Sequence, residues 1–133
     1  MISKFKIHDT FDQKFNISSD LVNEFINLSN DRNPFHTNDD FAIKKGFKSR
    51  VVQGNLQNCF ISYFVGECLP SKNVMILSQT IKFKKPVYMK DILYFNAKII
   101  GIFESVRLIE FDYKFINQLN QVVSIGNIKI KLT

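Results

Sequence analysis

The stretch GNLQNCFISYFVGECLP, from Gly54 to Pro70, limits the possible folds of this chain more than any other. Leu56, Phe60 and Phe64 recur at helical spacing, while Cys59, Ile61, Tyr63 and Val65 carry apolar surface around the rest of the cylinder. A helix apolar nearly all round has to be buried, and Pro70 sets where it stops. The period then changes. In LSQTIKFK, residues 77–84, Leu77, Gln79, Ile81 and Phe83 alternate with Ser78, Thr80, Lys82 and Lys84, which predicts a half-buried strand. Three further runs cover 91–101, 105–116 and 122–132, with Ile109, Phe111, Tyr113 and Phe115, then Ile128, Ile130 and Leu132, on their apolar sides. NQLNQ joins the last two as a hairpin.

Upstream of the helix, KFKIH alternates, with Phe5 and Ile7 on one side, and predicts a short strand. SSDLVNEFINLS predicts a helix capped by Ser18 or Ser19, with Asp20 in its first turn and Leu21, Val22, Phe25 and Ile26 on its apolar face. TNDDFAIKKGF predicts a second helix opened by Asn38 or Asp39 and stopped by Gly46. With 133 residues and no repeat or linker, residues 1–133 read as a single domain. The order of elements implies an α+β fold in which a curved antiparallel sheet wraps around a central apolar helix. An exposed sheet edge invites pairing with a second copy, so a homodimer is expected.

The charge balance, 18 basic against 12 acidic residues, favours anionic partners. The lysines are spread over alternating strand positions and form no basic helix, which argues against nucleic acid. Cys59 and Cys68 fit neither a metal nor a redox motif, and free thiols suit a reducing compartment. MISKFKIHDT lacks the apolar core of a signal peptide, and no apolar run approaches the ~20 residues of a membrane helix. The expectation is a cytoplasmic chain that needs neither metal nor membrane.

Residues 29–36, SNDRNPFH, place an acid and a histidine around an Asn-Pro corner. Pro34 fixes its own φ and keeps Asn33 out of the helical region, so the corner is stiff enough to present Asp31 and His36 together. Taken alone, the same run is also an ordinary turn with a packed histidine. The context is more specific. LSNDRNPFHTNDDFA resembles the SGDxNPxHxDxxxA signature of the MaoC-like dehydratases, the (R)-specific enoyl-CoA hydratase type with a hotdog fold, and GFKSRVVQGNL resembles the GF…xxVHGxL segment that follows it.

This resemblance implies a hydro-lyase that interconverts trans-2-enoyl and (R)-3-hydroxyacyl thioesters. Asp31 and His36 match the pair that holds and activates water, and Gly54 matches the glycine whose N–H polarises the thioester carbonyl. The alternative for Gly54 is a simple helix-start glycine. Asn33 is expected to brace the turn and, with Gln53 and Ser62, to belong to the substrate-binding residues. Ser62 is expected either to orient the acid or to bond its own helix. Two positions depart from the family: Asn30 stands where it has Gly, and Gln53 where it has His, which together with Asn55 predicts altered specificity or rate. No cofactor is implied beyond the carrier of the acyl group, either coenzyme A or acyl carrier protein, drawn to KKGFKSR at 44–50 and KFKK at 82–85. A hotdog acyl-thioesterase is disfavoured because GNLQNCF brings no carboxylate to the helix start. A non-catalytic acyl-thioester-binding subunit is motivated by Asn30 and Gln53.

Overall fold

The computed structural model describes residues 2–133. Five strands, β1 (Thr10–Asn16), β2 (Val74–Phe83), β3 (Ile92–Phe103), β4 (Leu108–Ile116) and β5 (Val122–Leu132), form one antiparallel sheet in the order β1-β3-β4-β5-β2. Between β1 and β2 the chain makes four helices: α1 (Ser19–Ser29), α2 (Pro34–Thr37), α3 (Asp39–Lys44) and α4 (Leu56–Tyr63), the last continuing as a π-turn over Phe64–Cys68. The sheet curves around α4. Phe64, on the helix, is completely buried against Phe95 of β3 and Phe111 of β4, with ring centroids 4.8 and 5.7 Å away. Phe60 stacks on Phe15 of β1 at 4.2 Å. The alternation expected of β4 and β5 is the observed one, since Ile109, Phe111, Phe115, Ile128 and Ile130 are all 0 % exposed.

The local signals mark the helix starts. The Ser18 hydroxyl accepts from the Leu21 N–H, and the Asn38 amide oxygen accepts from the Phe41 N–H, each satisfying an orphan donor of a first turn.

Three expectations need correction. KFKIH is no strand: residues 2–4 form a 3₁₀ turn, Asp9 turns the chain by accepting the Lys6 N–H and donating its own N–H to the Lys6 carbonyl, and β1 starts only at Thr10. Phe5 is buried while Ile7 is 46 % exposed, because two alternating apolar residues do not outweigh a turn closed by a carboxylate. The helix is not buried all round either. Asn55, Cys59, Ser62, Tyr63, Gly66 and Glu67 form an exposed stripe, since the sheet covers only the concave side. Finally β2 is exposed on both faces, with the adjacent Ile76 at 37 % and Leu77 at 53 %, where its register with β5 slips between Ile76 and Ser78 and the alternation breaks. Among the described residues no helix is long and apolar enough to cross a membrane.

Candidate active site

The acid–histidine segment begins where α1 ends. Asn30 closes α1 in the left-handed region at φ 57°, which Asn tolerates better than most side chains, and its N–H donates to the Ile26 carbonyl at 2.8 Å. Asp31 follows, with its Oδ1 accepting the Asn33 N–H at 3.2 Å. Asn33 then caps α2: its Oδ1 accepts the Phe35 N–H at 2.9 Å and Pro34 occupies the first helical position. His36 therefore stands on one turn of helix rather than in an irregular loop. Phe35 pins that turn edge-on against Phe41 and Phe47, at 5.0 and 5.8 Å. The expected bracing role of Asn33 is its observed contact: besides capping α2, its carbonyl accepts the His36 N–H at 2.8 Å, while Asn33 itself does not line the cavity.

The histidine's orientation depends on a residue the motif does not contain. His36 Nδ1 lies 2.6 Å from the carbonyl oxygen of Val51, and a carbonyl can only accept, so Nδ1 carries the proton. In the neutral ring Nε2 is then the lone-pair nitrogen. It points at Asp31 Oδ2, 3.6 Å away, with the two side chains 21 % and 43 % exposed. Two acceptors at that separation do not bond each other, but both reach one donor placed between them. Water is such a donor.

His36 and Gly54 line the same cavity, of about 360 Å³, together with Val52, Gln57, Phe83 and the rim lysine Lys85. Gly54 and Asn55 form the turn that leads into α4, whose N-cap Asn55 gives its side-chain oxygen to the Asn58 amide at 3.0 Å and caps no backbone N–H of the first turn. Among the described residues no acceptor takes up the Gly54 N–H. A Cβ there would come within 2.7 Å of the half-exposed Phe83 ring, which would have to swing aside to admit it. Lys84 also lines the cavity, whose mouth is therefore basic. A larger concavity of about 540 Å³, between Thr80 and Asn127 on the sheet, contains none of the candidate residues.

Gln53 and Ser62 are not where the sequence reading puts them. Gln53, 4 % exposed, is absent from the cavity lining and instead donates its Nε2 to the backbone carbonyl of Asp31 at 3.2 Å. Its Oε1 is buried without a hydrogen-bond partner among the described residues. Ser62 lies on the exposed stripe of α4, and among the described residues no hydrogen bond joins it to its own helix or to Asp31. Sequence reasoning overlooked Gln57, whose Oε1 accepts the hydroxyl hydrogen of the fully buried Ser124. Its signal was a polar residue on the side of α4 that carries Leu56, Phe60 and Phe64.

The family model for the MaoC like domain matches residues 4–115. The chain belongs to the MaoC-like domain family. The (R)-specific enoyl-CoA hydratase of Rhodospirillum rubrum is 34 % identical over 95 residues, 71 % of this chain and 66 % of that protein. The 3-hydroxybutyryl-CoA dehydratase of Methylorubrum extorquens is 34 % identical over 86 residues, 65 % of this chain and 55 % of that protein. The chain thus spans slightly less than two thirds of the first of these MaoC-like relatives and about half of the second. A solved structure of an (R)-hydratase from A. caviae superposes with a TM-score of 0.90 over 97 % of this chain and 98 % of that one, at 24 % identity. That likeness establishes the hotdog fold for this member of the family.

Proposed function

We propose that this MaoC-like chain is a hydro-lyase that adds water to trans-2-enoyl thioesters, giving (R)-3-hydroxyacyl thioesters, and catalyses the reverse dehydration. The observation that carries this reading is the approach of His36 Nε2 to Asp31 Oδ2, 3.6 Å apart, with His36 lining the cavity that also holds Gly54. In the forward direction the water oxygen bonds to the β carbon as the carbon–carbon π bond breaks. Asp31 holds and orients the water, His36 Nε2 accepts its proton, and the protonated Nε2 then returns that proton to the α carbon. Charge building on the thioester oxygen meets the Gly54 N–H at the positive end of α4. The names of both relatives favour this chemistry over thioester hydrolysis. So does the absence of a carboxylate from α4, since Glu67 beyond it faces solvent and pairs with Lys72 at 2.8 Å.

The direct test mixes purified protein with crotonyl and longer trans-2-enoyl thioesters, on coenzyme A and on acyl carrier protein, and follows loss of enoyl absorbance. Turnover on either carrier is expected. Inertness toward every one of them would sink the proposal, and release of free thiol from saturated acyl-CoA would replace it with a thioesterase. The rim lysines suit the phosphates of either carrier.

Gln53 is assigned a positioning role through the Asp31 carbonyl. Gln53→Leu removes an unpaired buried acceptor together with the donor to Asp31, so thermal stability should hold or rise while kcat falls about tenfold with little change in KM, because an unpaired buried polar group costs about 1–3 kcal/mol. A lower Tm with unchanged kcat would show the side chain to be structural only.

We propose that the second copy expected from a sheet edge pairs along β2, one of the two edge strands. β2 pairs with β5 on one side alone, and exposed Met75, Leu77 and Phe83 lie along it. A homodimer formed there would cover these side chains. Leu77→Asp is expected to convert a dimer to a monomer in sedimentation analysis; a mass unaffected by the substitution would place the interface elsewhere.

A further inference from the structure

The cavity is apolar around Val52, Phe83 and Val87, yet one wall carries a buried amide. Gln57 is 3 % exposed, and its Oε1 is taken by the hydroxyl of Ser124, a residue of β5 that is 0 % exposed. That bond fixes the amide orientation. With the hydroxyl donating to Oε1, Nε2 is left as the donor side; no described residue accepts from it, and, since it is not among the fully buried unpaired atoms, it opens toward the cavity. The Gln57 N–H donates to the Gly54 carbonyl at 3.0 Å, so the side chain springs from one turn beyond the glycine and runs inward toward Ser124. An acyl chain whose carbonyl lies at Gly54 meets this amide with atoms beyond its reacting carbons. An alkyl chain there strands the donor, whereas an oxygen acceptor satisfies it, and such sites discriminate strongly against the partner that lacks the polar group.

We propose that Gln57, oriented by Ser124, is a specificity residue that selects acyl thioesters carrying an oxygen acceptor beyond the β carbon over all-carbon chains of equal length. The proposal rests on the hydratase reading of the same cavity.

The test compares trans-2-octenoyl-CoA with its 5-, 6- and 7-oxa isosteres, with crotonyl-CoA as the short reference, in the native protein, Gln57→Leu and the double variant Gln57→Leu/Ser124→Ala. The double variant also removes the hydroxyl that the single one leaves unpaired. The native protein should favour at least one oxa isostere by about tenfold or more in kcat/KM, and both variants should erase that preference by raising the all-carbon value. Calorimetric Kd values for saturated octanoyl-CoA and its oxa isosteres should show the same ratio without any turnover. Equal handling of carbon and oxa chains by the native protein, or a preference that survives both variants, overturns the proposal. A lower kcat on crotonyl-CoA with the octenoyl-to-oxa ratio unchanged also overturns it, placing the amide at the thioester carbonyl instead. If no enoyl thioester is hydrated, the reaction reading fails separately, and the Kd ratios alone decide the selection.

Discussion

Asp31→Asn and His36→Ala are each expected to leave a folded protein whose kcat on trans-2-enoyl thioesters is lower by about 10²–10⁴-fold, the usual loss when one positioned proton-transfer group is removed. Neither change is expected to unfold the chain, because both side chains are partly exposed, at 43 % and 21 %, and lie outside the apolar core. His36→Ala forfeits one bond to the Val51 carbonyl, which a solvent molecule can replace. Asp31→Asn keeps an oxygen for the Asn33 N–H but can no longer act as an anion toward water. Because the pair would share a single water, the effects should not add: the double variant should be about as slow as the slower single one. Stopped-flow or steady-state absorbance at saturating substrate measures this directly. Multiplicative losses, or a rise in KM with kcat intact, would show that the two residues bind substrate rather than share a reacting water.

Gly126→Ala is expected to have the largest effect on stability. Gly126 lies opposite Tyr113 in the β4–β5 ladder, and the tyrosine leans across it so that its hydroxyl donates to the Thr80 carbonyl at 2.7 Å. A Cβ at residue 126 would land on that carbonyl oxygen and on the tyrosine hydroxyl. Neither can step aside cheaply, since the first is backbone in β2 and the second is pushed well above the ordinary tyrosine pKa by burial and depends on this bond. Relief requires prising β2 off β5. The cost should be about 3 kcal/mol or more, a Tm loss of roughly 10 °C in a domain of this size. Tyr113→Phe, which deletes the bond without adding volume, should cost only about 1 kcal/mol. Equal losses for the two variants in thermal unfolding would show that the hydrogen bond matters and the close approach does not.

Much of the site was legible because its chemistry lies within one short segment. Asp31, Asn33, Pro34 and His36 make local bonds across the corner, and the caps at Ser18, Asn33 and Asn38 are likewise contacts between residues two or three apart. The turn of Gln53 toward the Asp31 carbonyl was not legible, because its neighbour Gly54 lines the cavity and adjacent residues in a turn point in different directions. The exposure of Ser62 was not legible, because a nearly all-apolar helix gave no sign of which side would remain uncovered. KFKIH had the period of a strand and the length of a turn, and the Asp9 side chain decided between them.

Period, capping and the acid–histidine order are properties of neighbours along the chain, so the amino-acid order alone was enough for the α+β class, the starts of α1 and α3 and the candidate pair. Packing settled the rest. Val51, 15 residues from His36, selects its tautomer, and Ser124, 67 residues from Gln57, aims its amide. The exposed edge at β2 follows from which strand β5 chose as its second partner. Such choices depend on how apolar faces meet after the chain has closed on itself, where a side chain's direction is set by its surroundings in space and not by its neighbours in order.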